Sequence, residues 1–268
     1  MKKEFCISVS KNPGKIGETI HNAGYKHLGL NFQYKAFSSN DISGAIKGVR
    51  ALGIKGCSIS MPFKEKVISL VDELDPLAKQ SRAVNTIVNN NGYLIGYNTD
   101  VLGIKNCLKP IKIQKNKKIL LLGAGGAARA ILVALKNLKY KNILLSNRTS
   151  KKGKQVAKEF DIEFIKWSKR SNVDAVIIIN ATSIGMSPNT ELVPISQKSI
   201  IRAKLIIDIV VKPANTKLIK IANSEKISTI DGTQMALNQA YEQFNLYTGK
   251  KAPKDIMQRA LKKIMNEK

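Results

Sequence analysis

Lys64 follows Ser60-Met61-Pro62-Phe63, just where the apolar run IKGCSIS (residues 54–60) gives way to the lysine-bearing stretch KEKVISLVDEL. A lysine at that junction is either a surface residue of a lysine-rich chain or a cation placed at a strand end for chemistry, and the stretch alone leaves both readings open. A second candidate is LLLGAGGAARA, which sets Gly123, Gly125 and Ala128 at the spacing G-x-G-x-x-G/A. An apolar strand precedes this loop, a helix follows, and a second strand, NILLS, comes next. In that setting the glycines let the backbone turn tightly and approach a pyrophosphate, and the helix N-terminus supplies unpaired N–H groups and positive partial charge. A glycine-rich strand-to-helix turn with no ligand is the competing reading.

The end of the second strand bears on which dinucleotide would fit. NAD sites usually carry Asp or Glu there to bond the ribose 2′-hydroxyl. This chain has Ser146-Asn147-Arg148-Thr149-Ser150, with no acid. A guanidinium and hydroxyls suit a 2′-phosphate, so NADP is expected over NAD. Further on, NATSIGM places Asn180, Thr182 and Gly185 at another strand end on the same side of that crevice.

The elements that must position these residues follow from hydrophobic patterning. In the first hundred residues strand and helix signals alternate: FCISVS, a helix over IGETIHNAGYKHLG, NFQYKAF, a helix over SNDISGAIKGVRALG capped by Ser39 or Asn40, IKGCSIS, and a helix over KEKVISLVDEL. Asn-Asn-Asn-Gly between two short apolar runs then predicts a hairpin ending in Asn98-Thr99-Asp100. A basic, proline-containing connector over residues 104–116 suggests a domain boundary. About five apolar β runs with intervening helices come next. Helices over 233–247 and 253–265 close the chain, with Pro253 in the first turn of the last. The expected architecture is α/β with two domains: a substrate domain from residues 1–103 and 235–268, and a Rossmann-like doubly wound domain over 104–234.

Composition narrows the function. The 268 residues carry a net charge of +26, but only seven of the 45 basic residues are Arg, and aromatics make up 6%. Single-stranded nucleic-acid surfaces usually interleave aromatics with Arg, so no nucleic-acid partner is expected. No apolar run approaches the roughly 20 residues that span a bilayer, and the start lacks a signal-peptide h-region. A cytoplasmic protein with no membrane partner is expected. Cys6, Cys57 and Cys107 form neither a C-x-x-C pair nor an even-numbered framework. His21 and His27 give no zinc pattern, so no metal site is expected; His21 is placed on a helix near a cleft.

Seven motifs in order resemble those of the shikimate dehydrogenases, and within them the divergent shikimate dehydrogenase-like group, over nearly the whole chain. SMPFK resembles the family's Pro-Phe-Lys motif, with Lys64 at the catalytic lysine and Ser60 on the substrate side. AVNTI puts Asn85 at the substrate, and GYNTD puts Asp100 at the catalytic aspartate. GAGGAAR, NRT and NATSIGM match the NADP segments, which implies cofactor contacts from Gly123, Gly125, Gly126, Ala127, Asn147, Arg148, Thr149 and Thr182. DGTQMALNQA puts Gly232 and Met235 near the nicotinamide and Gln239 at the substrate. The resemblance implies that Lys64 faces Asp100, a pair able to hold a substrate hydroxyl and move its proton as hydride is exchanged. It also implies a monomer or homodimer acting on a small hydroxylated cyclic carboxylate such as shikimate.

Two departures bear on the substrate. Typical members bind the carboxylate with a Ser-x-Ser hairpin where this chain has Lys15-Ile16-Gly17; Ser8 and Ser10 lie upstream. DIVVKP has Val211 in place of a substrate-facing tyrosine. Quinate or another polyol acid, an NADP-binding regulator without turnover, and a basic nucleic-acid-associated protein remain as alternatives.

Overall fold

A computed structural model describes residues 3–266. The chain divides into two compact units, one of residues 1–103 with 237–268 and the other of residues 104–236.

The first unit is built on a six-stranded mixed sheet. Its strands are β1 (Glu4–Ser10), β2 (Phe32–Ser38), β3 (Gly56–Ile59), β4 (Glu73–Leu74), β5 (Thr86–Asn90) and β6 (Tyr93–Tyr97), in the order β2-β1-β3-β5-β6-β4. β1 pairs in parallel with β2 and β3, while β5 runs antiparallel to β3 and β6. The β5–β6 hairpin turns at Asn91 and Gly92, both at positive φ (53° and 94°), as the Asn-Gly signal requires.

Strand residues alternate between two cores, as a period of two dictates. Cys6 and Val88 face α1 (Ile16–His27) and the C-terminal helices α9 (Gly232–Thr248) and α10 (Lys254–Asn266), through Ile20, Phe244 and Met257. Val9 and Ile87 face the other way, onto Ile46 and Val49 of α2 (Ile42–Ala51) and onto Val67.

Four local expectations are corrected. The cap of α2 is Asp41, whose carboxylate accepts from Gly44 N at 2.9 Å, not Ser39 or Asn40. KEKVISLVDEL is not an α-helix: a 3₁₀ turn over Lys66–Leu70 leads into β4, and the helix comes later as α3 (Pro76–Ser81), capped by Asp75. Asp72 intervenes because its carboxylate accepts from Leu94 N and from Arg50, drawing the chain onto β6. Pro253 precedes α10 rather than entering it, and its carbonyl accepts from Met257 N. His21 lies near no cleft. It is fully buried, stacked on Tyr34 with centroids 4.6 Å apart and flanked by Tyr25, Phe244 and Tyr247. Burial pulls its imidazole down to about 4; Gln243 is the neighbouring polar side chain that opposes the shift.

The chain leaves β6 through α4 (Thr99–Leu108), which occupies the start of the expected connector. The second unit carries a wholly parallel sheet of β7 (Ile119–Leu122), β8 (Ile143–Asn147), β9 (Glu163–Lys166), β10 (Ile177–Asn180), β11 (Leu205–Asp208) and β12 (Ser228–Ile230), ordered β12-β11-β10-β7-β8-β9. Four of these strands read as unbroken apolar runs because helices such as α5 (Gly126–Asn137), α7 (Gln197–Arg202) and α8 (Lys217–Ser224) cover both faces. β9, an edge strand, was not foreseen: its half-exposed Glu-Phe-Ile-Lys has no apolar run to mark it. Strand order reverses at β7, which lies between β8 and β10, so the doubly wound arrangement opens a crevice at the carboxyl ends of these three strands.

All three cysteines are buried: Cys6 and Cys57 on adjacent strands, Cys107 in α4. Burial pushes the Cys6 thiol up to about 12 and the Cys57 thiol higher still.

Candidate active site

In the first unit, polar side chains gather around the carboxyl end of β3 and the start of α4. Lys64 lies in the turn after β3, and its carbonyl accepts from Val84 N at 2.8 Å. Its Nζ sits 2.5 Å from Asp100 Oδ2, in the first turn of α4. The two side chains are only 16% and 7% exposed. An ion pair so shielded is held together by geometry as well as charge, because each partner would be costly to leave alone.

Asn85 stands just before β5, its backbone bonded on both sides: Asn85 N donates to Tyr97 O, and Ile59 N donates to Asn85 O. Its side chain is almost fully buried and fully engaged. Oδ1 accepts from Thr99 N and Thr86 Oγ1, both at 2.8 Å. Nδ2 donates to Thr99 Oγ1 at 3.0 Å and to Gln239 Oε1 at 3.3 Å. Thr99 also donates to Gln239, at 3.2 Å. Thr99 therefore links the Asn85–Gln239 pair to its own neighbour, Asp100. Asn98 anchors this corner from behind, donating to Ser81 Oγ and Ala83 O at 2.8 Å. Ser60 is exposed at the end of β3, its backbone tied to Val9 and Phe63.

The structure thus brings Lys64 to Asp100 and Asn85 to Gln239. Sequence reading missed Thr86, Thr99 and Gln243, which bind these residues together. The available signal was Gln239 and Gln243 four apart, on one face of a helix. Of the upstream serines, Ser10 is buried at the end of β1 and Ser8 half-buried. Lys15 precedes α1 as its N-cap and makes no side-chain capping bond.

In the second unit, the glycine loop joins β7 to α5. Gly123 holds φ at 110°, and a Cβ there would lie 2.6 Å from the Ala181 carbonyl oxygen. Both facts demand glycine. Gly125 caps α5 with no side chain, and Gly126 and Ala127 begin the helix, leaving first-turn N–H groups uncovered by any capping side chain. β8 ends at Asn147, whose Nδ2 donates to Thr149 O at 2.9 Å. Arg148 is exposed, and Thr149 is the N-cap of α6 (Ser150–Glu159).

Beyond β10, Asn180 Oδ1 accepts from Thr182 N and Thr182 Oγ1, and its Nδ2 donates to Ile184 O and to Asp208. Asp208 is raised above its ordinary pKa by burial, against bonds from Thr216, Val210 N and Asn180. Gly232 starts α9 against the Val210 carbonyl, with no space for a Cβ. Met235 is buried one turn later. Such a crevice fits a dinucleotide: glycines clear the backbone, a helix N-terminus lies at the loop, and the second strand end carries an arginine and no acid.

Three family models match successive stretches: "Shikimate dehydrogenase substrate binding domain" over residues 7–87, "Shikimate / quinate 5-dehydrogenase" over 108–234, and "Shikimate 5'-dehydrogenase C-terminal domain" over 232–262. A shikimate dehydrogenase-like protein of Haemophilus influenzae is 39% identical over 96% of this chain and 95% of its own. A shikimate dehydrogenase (NADP(+)) of Pyrococcus abyssi is 39% identical over 91% of each. The crystal structure of the Thermus thermophilus shikimate 5-dehydrogenase in complex with NADP(H) and shikimate superposes with a TM-score of 0.86 at 26% identity, covering 97% of this chain and 99% of that one.

Proposed function

The chain belongs to the shikimate dehydrogenase family, and from that premise we propose that it is an NADP-dependent dehydrogenase that interconverts 3-dehydroshikimate and shikimate. The observation that carries this reading is the shielded Lys64–Asp100 pair, linked through Thr99 to Asn85 and Gln239. When bound, NADPH would supply the hydride for reduction. Lys64 holds a proton at the substrate carbonyl oxygen and delivers it as the alkoxide forms; in oxidation it takes that proton back. Asp100 fixes the lysine head and balances its charge. Substrate would exchange the 3.3 Å bond between Asn85 Nδ2 and Gln239 Oε1 for bonds from these two amides to ring hydroxyls, and Ser60 lies exposed on the substrate side.

In the second unit the loop Gly123–Ala127 and the N-terminus of α5 would hold the pyrophosphate. Asn147, Arg148 and Thr149 would surround the 2′-phosphate, and Thr182, Gly232 and Met235 the nicotinamide end. The catalytic unit would be residues 1–103 with 237–268, and the cofactor unit 104–236. Quinate is the competing substrate, supported by the match to the "Shikimate / quinate 5-dehydrogenase" model; Lys15-Ile16-Gly17 where typical members carry a serine hairpin, and Val211 where they carry a tyrosine, weaken the grip on either acid.

Missing two serine bonds to the carboxylate, each worth about 1.5–3 kcal/mol because the acceptor is charged, weakens substrate binding by roughly two to four orders of magnitude. The test is a panel of shikimate, quinate and related hydroxy acids with NADP, followed by NADPH absorbance. Shikimate turnover with a high Michaelis constant is expected. No turnover of any acid, with NADP bound, would make the protein an NADP-binding regulator.

A further inference from the structure

Gln243 has no part in the reading above. It lies one turn beyond Gln239 on α9 and is 2% exposed. A primary amide so deeply buried is costly unless it is hydrogen-bonded. Its Nε2 lies 3.0 Å from Ser58 Oγ, 2.9 Å from Thr86 Oγ1 and 3.4 Å from the Asn85 carbonyl oxygen. Ser58 and Thr86 are directly opposed across the β3–β5 ladder. The amide therefore bridges two adjacent strands just behind the turn that carries Lys64 and the residue that precedes β5.

The polarity of this contact matters. A threonine hydroxyl has one proton, and by accepting from Gln243 it is set to donate that proton onward. Thr86 Oγ1 sits 2.8 Å from Asn85 Oδ1, to which it donates. Thr99 N donates to the same oxygen. Two donors thus hold the carbonyl end of the Asn85 amide, and the amino end is left to meet Gln239 and Thr99 Oγ1. Turning the amide over would set N–H against N–H at Thr99.

We propose that Gln243 is a positioning residue for the substrate: through Thr86 it fixes the orientation of the Asn85 amide that, with Gln239, receives the hydroxylated ring. This rests on the dehydrogenase reading, and it assigns Gln243 a share in substrate affinity although it does not touch the substrate. Ser58 is the other anchor, keeping β3 and β5 in register beneath the site.

The experiment compares Gln243→Met, which keeps volume and removes the amide, with Thr86→Val, which keeps shape and removes the hydroxyl. With either link broken, the Michaelis constant for shikimate should rise about tenfold, the scale of one to two neutral hydrogen bonds. The Michaelis constant for NADP should stay unchanged. The double variant should be no worse than the poorer single one, because both break one chain. A purely structural role would instead lower the urea midpoint and the active fraction and leave the Michaelis constant as in wild type; that result, or additive effects in the double variant, overturns the proposal.

The side-chain amide resonances of Asn85, assigned by their loss in Asn85→Ala, provide a readout independent of turnover. They should shift in both Gln243→Met and Thr86→Val, and unmoved resonances also overturn the proposal. If wild-type protein fails to oxidise shikimate, the substrate reading falls while the resonance measurement still decides the role of Gln243. If Gln243→Met does not fold, Thr86→Val decides it by both measurements.

Discussion

Replacing Lys64 by alanine removes the cation 2.5 Å from Asp100 Oδ2 and leaves a carboxylate that is 7% exposed without its ion partner. Breaking a buried pair costs about 3–5 kcal/mol. Lys64 keeps some exposure and water can enter the space it leaves, so a stability loss near the lower bound, about 2–3 kcal/mol, is expected. The kinetic effect has a different size and origin. Loss of a general acid–base group lowers turnover by about a hundred- to ten-thousandfold, equivalent to about 3–5 kcal/mol of barrier. The two effects separate cleanly. A domain stable by about 5–15 kcal/mol that loses 3 is still almost entirely folded, so a hundredfold drop in turnover cannot come from unfolding. Asp100→Ala should cost similar turnover. The double variant should lose far less than the product of the two, because the pair acts as a unit, and should regain stability because no charge is left unpaired. NADPH absorbance gives turnover, urea midpoints give stability, and NADPH fluorescence shows whether the cofactor still binds. Turnover of Lys64→Ala within about tenfold of wild type would make Lys64 a structural cation and refute its proton-transfer role.

Arg148→Ala should raise the Michaelis constant for NADP far more than that for NAD, and equal effects would remove the 2′-phosphate role. Gly123→Ala forces a side chain into φ of 110° and against Ala181 O; at about 1–3 kcal/mol of strain, it should weaken NADPH binding at least about tenfold by fluorescence titration, and wild-type affinity would contradict the close approach. His21 titrates at about 4 in the fold, below its ordinary 6.5. Its contribution to stability is therefore complete above pH 6.5 and is lost as pH falls toward 4, up to about 3 kcal/mol. His21→Phe, which keeps the stacked ring, should flatten the pH dependence of the urea midpoint across that window; parallel curves for the two proteins would refute it.

Local signals in the sequence were strong wherever backbone chemistry required a particular residue. Gly123 is demanded by its φ and by Ala181, and Asn91-Gly92 by the hairpin turn, so both could be read without a structure. The apolar runs of β7, β8, β10 and β11 announced a sheet covered on both faces. Features that depend on distant partners were not legible. KEKVISLVDEL has helical composition, but its path is set by Asp72 meeting Leu94 N and Arg50, 22 residues away in either direction. The burial of His21 depends on rings brought from β2 and α9. Val101, Ile104 and Leu108 had the spacing of a buried helix face, but the polar Asn98-Thr99-Asp100 masked the start of α4. In the site, Asn85, Asp100 and Gln239 were visible as motif residues. Thr86, Thr99 and Gln243 were not, because a hydroxyl or amide that orients another side chain carries no pattern of its own.

The buried cysteines give the protein an internal clock. The thiolate is the form that attacks an alkylating reagent and displaces its leaving group, and burial raises the Cys6 and Cys57 thiols far enough to keep them protonated near neutral pH. Modification must therefore wait for the surrounding structure to open. Cys6 and Cys57 lie on neighbouring strands of the first unit, and Cys107 belongs to the second. Pulse alkylation followed by peptide mass spectrometry thus times the opening of each unit separately, in unmodified protein and without an added probe. Joint labelling of Cys6 and Cys57 would mark the first sheet coming apart as a whole, and Cys107 labelled without them would mark the second unit opening at its end of α4.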